Sequence, residues 1–191
     1  MDYIKKIYEY VLNLEHEHSH DFGHILRVTK NAEIIAENEN ANKEIVIISA
    51  LLHDIARADE LKGLIEDHAI EGALRAERFL KEINYPYVNE VKYCIEVHRF
   101  SKGLIPETLE AKILQDADRL DALGNIGIAR VFMHKNGGDM KERLNHFYEK
   151  ILKLGDLMHT KTAKKMAEEK NKIIKNFVEG LERELNLIFK I

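Results

Sequence analysis

Apolar residues recur along this chain at the spacing of helices and nowhere at the spacing of strands. Between residues 2 and 16 they fall at Tyr3, Ile4, Ile7, Val11, Leu12 and Leu14. Residues 22–39 carry Phe22, Ile25, Leu26, Ile34 and Ile35, and residues 43–57 carry Ile45, Ile48, Leu51, Leu52 and Ile55. Each set lines one face of a 3.6-residue turn and predicts a helix. A fourth helix is expected over 67–83, with Glu66 and Asp67 at its positive end and Ile70, Leu74, Phe79 and Leu80 along one side. A fifth follows Tyr85-Pro86 over 87–98. Pro106 is expected to open a sixth that runs to about residue 122, since proline is tolerated in a first turn. Gly124 and Gly127 mark a break or a close approach before IARVFMH. Two more helices are expected over 139–154 and 160–190. The last places Ile173, Ile174, Phe177, Leu181, Leu185 and Ile188 on one face. RFSKGLIP at 99–106 and Lys135-Asn136-Gly137-Gly138 read as loops. The fold class expected is all-α, a single-domain helical bundle.

Composition narrows the function. The chain has 191 residues, enough for a core, and a net charge of −4, which argues against nucleic acid or an anionic membrane as the main partner. Cys94 is the one cysteine, so neither an internal disulfide nor a thiolate zinc cluster can form. No stretch approaches the roughly 20 apolar residues that span a bilayer, and the charged N-terminus does not read as a signal peptide, so a cytoplasmic location is expected.

Histidine is abundant, at ten. Five places put a metal-capable side chain at the edge of an apolar helix: His24 in HDFGHILRV, His53-Asp54 in ALLHDIA, His68 in EDHAIEGA, His98 in YCIEVHRF, and Asp118 in QDADRLDALG. A carboxylate entering the core with Ile and Leu is costly unless a cation meets it. For His53-Asp54 the ordinary alternative is a helix C-terminus, which favours His but not Asp. Two imidazoles and two carboxylates suit a borderline divalent metal: Mn, Fe, Co, Ni or Zn, with Mg also able to bind.

The order His…His-Asp…Asp resembles the HD superfamily of metal-dependent phosphohydrolases. HDFGHILRV, then ALLHDIA, then QDADRLDALGNIGIAR look like one branch of small HD hydrolases, and HFYEKILKLGDLMHTKTAKKMAEE is similar to the end of that branch. The resemblance runs from about residue 20 to 185. It implies an HD-type bundle over 1–191, with the metal-site core at about 20–125 and C-terminal helices 139–190 covering the cleft. It also implies that His24, His53, Asp54 and Asp118 bind one metal. Some members of the branch lack histidines at the places of His68 and His98. This chain has both, so a site able to hold one or two ions is expected.

The implied reaction is hydrolysis of a phosphoester or phosphoanhydride, with a nucleotide as the phosphorylated substrate. Asp54, Glu71 and Asp121 are candidate catalytic residues. Glu71 lies one turn beyond His68, and Asp121 one turn beyond Asp118. Arg27, Lys102 and Lys153 are the leading candidate phosphate contacts, ahead of Arg99, Arg119 and Lys150. The cluster His16, His18 and His20 reads as a solvated turn, with Asp21 as an N-cap that could support His24. Two other readings stay open: a di-iron oxygenase on the same fold, and a nucleotide- or metal-binding module without turnover. The amphipathic first and last helices could serve as a homodimer face.

Overall fold

The computed structural model describes residues 3–14, 22–99, 102–134 and 138–188. Among these, the chain is helical throughout and forms no strand. It divides into two compact units, Met1–Asp118 and Arg119–Ile191, with the division inside one helix.

The first unit is built around α3 (Lys43–Leu52), which packs against α1 (Tyr3–Leu12), α2 (Phe22–Glu39) and α6 (Val88–Val97). The reason is in its sequence, KEIVIISALL, which is apolar on every side after its first turn. A helix of that kind belongs at a centre. Ile45, Val46, Ile48, Ser49, Ala50, Leu51 and Leu52 are all buried. Each large aliphatic among them contributes about 1.5–3 kcal/mol of burial. Asn42 starts the helix by accepting the Ile45 N–H at 3.3 Å.

α3 ends at Leu52, not at 57 as the periodicity predicts. Tight turns follow, with Ile55 N–H donating to Leu52 O and Arg57 N–H to Asp54 O. A short α4 (Arg57–Leu61), which the pattern does not announce, leads on to α5 (His68–Glu82). Asp67 caps α5 by accepting the Ala69 N–H at 2.9 Å, and α5 packs along α6.

α7 runs Leu109–Asp121. Pro106 does not open it: Thr108 does, its hydroxyl accepting the Ala111 N–H at 3.3 Å, a role proline cannot fill. Two amide side chains tie α7 into the first unit. Gln115 donates to the carbonyls of Val97 at 2.6 Å and Leu104 at 3.1 Å, and Asn31 on α2 donates to Ala117 O at 3.4 Å. These bonds fix the end of α6 and the middle of α7 beside α2.

The second unit holds α8 (Gly124–Met133), α9 (Met140–Glu149), a 3-10 helix (Ile151–Leu157) and α10 (Lys161–Ile188). Gly124 adopts φ +67, and a Cβ on Gly127 would lie 2.1 Å from the Ala122 carbonyl oxygen. Both glycines are therefore required where α7 turns into α8. Phe132, Phe147 and Phe177 meet with ring centroids 5.8–6.2 Å apart and tie α8, α9 and α10 into one core. The single helix expected over 139–154 is broken at Lys150, where the backbone leaves the helical region and tightens into the 3-10 turn. No described helix is long and apolar enough to cross a membrane.

Candidate metal centre

Six of the side chains singled out in the sequence converge in the first unit. His24 projects from α2. His53 is the C-cap of α3, Asp54 follows in the turn, His68 opens α5, His98 is the C-cap of α6, and Asp118 lies on α7. Adjacent residues on a continuous helix would diverge, but the break after Leu52 lets His53 and Asp54 face one space. His53 Nε2 is 3.5 Å from Asp54 Oδ2. All four histidines and Asp54 are buried, while the Asp118 side chain keeps 30% of its surface open.

Asp54 divides the cluster. Its Oδ2 faces His53 and also His24 Nε2, at 3.7 Å; its Oδ1 faces His68 Nε2 at 3.4 Å and His98 Nε2 at 3.6 Å. On the first side, His24 Nε2 is 3.4 Å from His53 Nε2 and 3.5 Å from Asp118 Oδ1. Two groups able to hold a metal ion result: His24 with His53 and Asp118, and Asp54 with His68 and His98.

The ring contacts decide which nitrogens face inward. His53 Nδ1 donates to Ala50 O at 2.7 Å and His98 Nδ1 to Ile95 O at 2.6 Å; His68 Nδ1 lies 2.9 Å from Glu60 Oε2, which accepts its proton in the tautomer that leaves Nε2 facing Asp54, and 3.0 Å from Arg57 Nη1. In the neutral ring each Nε2 is then a lone pair. Lone pairs and carboxylate oxygens facing one another at 3.4–3.7 Å repel unless a cation lies between them. Ligands about 2.1 Å from one tetrahedral or octahedral ion are themselves about 3.0–3.4 Å apart, close to these spacings. The donor set and its geometry fit a divalent transition metal.

The buried rings are shifted in opposite directions. Burial pushes His53 down to about 4, and burial also lowers His68. Both rings are neutral near pH 7. Burial acts on His98 in the same direction, but Asp54 and Asp118 outweigh it and His98 is raised. Burial would raise Asp118; His24 and His53 overcome it and hold the carboxyl below its ordinary value.

A third group, Glu60, Asp67 and His68, already has its cations. Glu60 pairs with Arg57 and Arg99; Asp67 pairs with Arg99 at 3.4 Å and with Lys102 at 3.0 Å. Glu60 and Arg57 are functional candidates that the sequence reading missed. A signal was available: an acid at 60 lies one turn beyond Arg57 and two turns beyond His53.

The remaining candidates lie elsewhere. Glu71 is not among the converging groups. It pairs with Arg75 at 2.9 Å and Arg78 at 3.4 Å, and Arg75 holds its carboxyl below the ordinary range. Asp121, in the second unit, is buried and accepts from Arg130 at 2.7 Å. Arg27 is half-buried one turn after His24, Lys102 is held by Asp67, and Lys153 is exposed in the 3-10 helix of the second unit. His16, His18, His20 and Asp21 lie outside the described residues.

Residues 21–123, which hold all six converging side chains, match the HD domain. The chain belongs to the HD domain family. This HD protein is 34% identical over 176 residues to the uncharacterized protein YpgQ of Bacillus subtilis (strain 168), covering 87% of this chain and 84% of that one. The crystal structure of Bacillus subtilis YpgQ in complex with ADP has a TM-score of 0.77 to it at 30% identity, covering 95% of this chain and 97% of that one. A predicted HD superfamily hydrolase from an uncultured Thermotogales bacterium has a TM-score of 0.72 at 35% identity, covering 95% and 91%. An HD-superfamily hydrolase from Bacillus thuringiensis has a TM-score of 0.73 at 34% identity, covering 96% of each chain.

Proposed function

We propose that this HD protein is a metal-dependent phosphohydrolase that cleaves a phosphoester or phosphoanhydride of a nucleotide. The observation that carries the reading is the Asp54 carboxylate, buried between two sets of inward-facing imidazole nitrogens. We assign His24, His53, Asp54 and Asp118 to one ion, and His68 and His98, with Asp54 shared, to a second. A divalent ion supplies, when bound, a more acidic water and neutralisation of phosphoryl oxygens. The chain's own residues do the rest. Asp54 and Asp118 carry the negative charge that holds divalent cations among neutral rings. The Nδ1 bonds of His53, His68 and His98 fix their ring orientations before any ligand arrives. To Asp118, charged at neutral pH and the more open of the two carboxylates, we assign the orientation of the attacking water. Lys102 and Arg99, beside His68 through Asp67 and Glu60, and Arg27, one turn from His24, are the cations we assign to the phosphate chain.

The nucleotide class is supported by the similarity to YpgQ, whose structure contains ADP. The hydrolase class is supported by the hydrolase relatives and by a donor set of nitrogen and oxygen ligands.

The test is elemental analysis of the purified protein beside a release assay. Nucleoside mono-, di- and triphosphates are each offered with Mn, Co, Ni and Mg, and phosphate and pyrophosphate are both measured. Metal-dependent release of either product is the expected result. Bound metal with no release under any of these conditions would refute the hydrolase reading in favour of the oxygenase or the binding module. A protein that takes up no metal would refute the site itself.

A further inference from the structure

His53 and His98 are oriented alike. Each donates Nδ1–H to a backbone carbonyl three residues earlier, at the end of its own helix. His68 is different. It opens α5, where no earlier turn exists to supply a carbonyl, and its Nδ1 lies 2.9 Å from the Glu60 carboxylate on α4 and 3.0 Å from Arg57 Nη1; the tautomer that leaves Nε2 open toward Asp54 carries its proton on Nδ1 and donates it to Glu60, the one acceptor of the two. Glu60 Oε1 also accepts the His68 backbone N–H at 3.3 Å, so one carboxylate holds both the ring and the main chain of this residue. Arg57 and Arg99 pair with the same carboxylate, and its side chain is only 14% exposed.

A charged acceptor makes an imidazole a stronger ligand than a neutral carbonyl does, and it removes the freedom of the ring to turn. We infer that Glu60 is the positioning residue of the His68–His98–Asp54 pocket, setting the orientation and donor strength of His68 without touching the ion. The inference rests on the two-pocket reading proposed above. It makes the second pocket dependent on α4, while the rings of His53 and His98 are clamped by their own helices.

The experiment is a Co(II) titration of the full chain, followed by its visible spectrum and by bound-metal stoichiometry. Wild type is compared with Glu60→Gln, Glu60→Ala and His68→Ala, and the metal-free fold of each is checked by circular dichroism and thermal melting. Glu60→Gln keeps an oxygen for His68 Nδ1–H but loses the charge; Glu60→Ala loses both. Cobalt binding at the His68 pocket should weaken about 10-fold in the first variant and towards 100-fold in the second, with the other ion unchanged. Should the alanine variant fail to fold, the glutamine variant still decides. Full cobalt affinity in the Glu60 variants, with loss in His68→Ala, would overturn the role of Glu60. Loss of both ions in a folded Glu60 variant would overturn it too, because a positioning residue acts on one pocket. Unchanged cobalt binding in His68→Ala would instead refute the second pocket.

Discussion

Substituting Asp54 by Asn tests the proposed centre most sharply, because the change is isosteric and removes only a charge and one acceptor. Both Asp54 oxygens face imidazole Nε2 atoms, two on each side. An amide keeps an oxygen for one side and turns an NH2 donor toward the other. The pocket containing Asp118 would retain two imidazoles and a carboxylate; the pocket of His68 and His98 would retain two neutral rings. In wild type, an ion held at about 100 times its Kd stabilises the fold by about 2.7 kcal/mol, so two ions contribute about 5 kcal/mol. For a chain of this size that corresponds to a rise in Tm of roughly 10–20 °C. The Asn variant should bind at most one ion, with less than half the wild-type shift. The assay is differential scanning calorimetry with and without saturating Mn, beside metal analysis. Each variant is referred to its own metal-free form, so the effect of the substitution on the empty fold cancels. A wild-type stoichiometry together with a wild-type shift would refute Asp54 as the shared ligand.

Gly127→Ala places a Cβ 2.1 Å from the Ala122 carbonyl oxygen; such overpacking costs about 1–3 kcal/mol, and thermal melting should show a clear loss with metal content unchanged. Asp121→Asn removes the buried charge that Arg130 pairs with and should cost about 1.5–3 kcal/mol; a wild-type Tm would refute that role for the pair. The metal-free protein should also respond to pH through His53. Its folded value, about 4, lies below the ordinary 6.5. As pH falls from 6.5 to 4, the unfolded chain takes up a proton that the folded chain refuses, and stability drops by up to about 3 kcal/mol. Denaturant unfolding of wild type should therefore steepen with falling pH relative to His53→Gln, and parallel pH curves would refute the assignment.

The helices bearing the centre were legible because each has a strong apolar face, and the six metal-capable residues because each sits at the edge of such a face. What the pattern could not supply was the ending of α3. ALLHDIAR continues the helical period past residue 52, and only the structure shows the chain turning there so that His53 and Asp54 face one space. Glu60 escaped for a related reason. α4 is five residues long, has no buried residue and leaves no periodic trace, so an acid within it looks like any solvated charge. Pro106 misled because a proline that fits a first turn need not be in one, and Thr108 offered a better cap. The pairing of Glu71 with Arg75 was readable as an i,i+4 ion pair; it competes with the catalytic role that spacing from His68 suggests.

α3 is packed against α1, α2 and α6 and buried from Ile48 to its end at Leu52; His53 caps it and Asp54 follows in the turn. Helices so enclosed exchange their amide hydrogens only when the whole domain opens. His53 and Asp54, both buried, are thus anchored directly to the end of such a helix, one at its cap and one in the next residue. Heating should leave them assembled until cooperative unfolding, and activity should vanish at that same temperature without an earlier stage of partial inactivation.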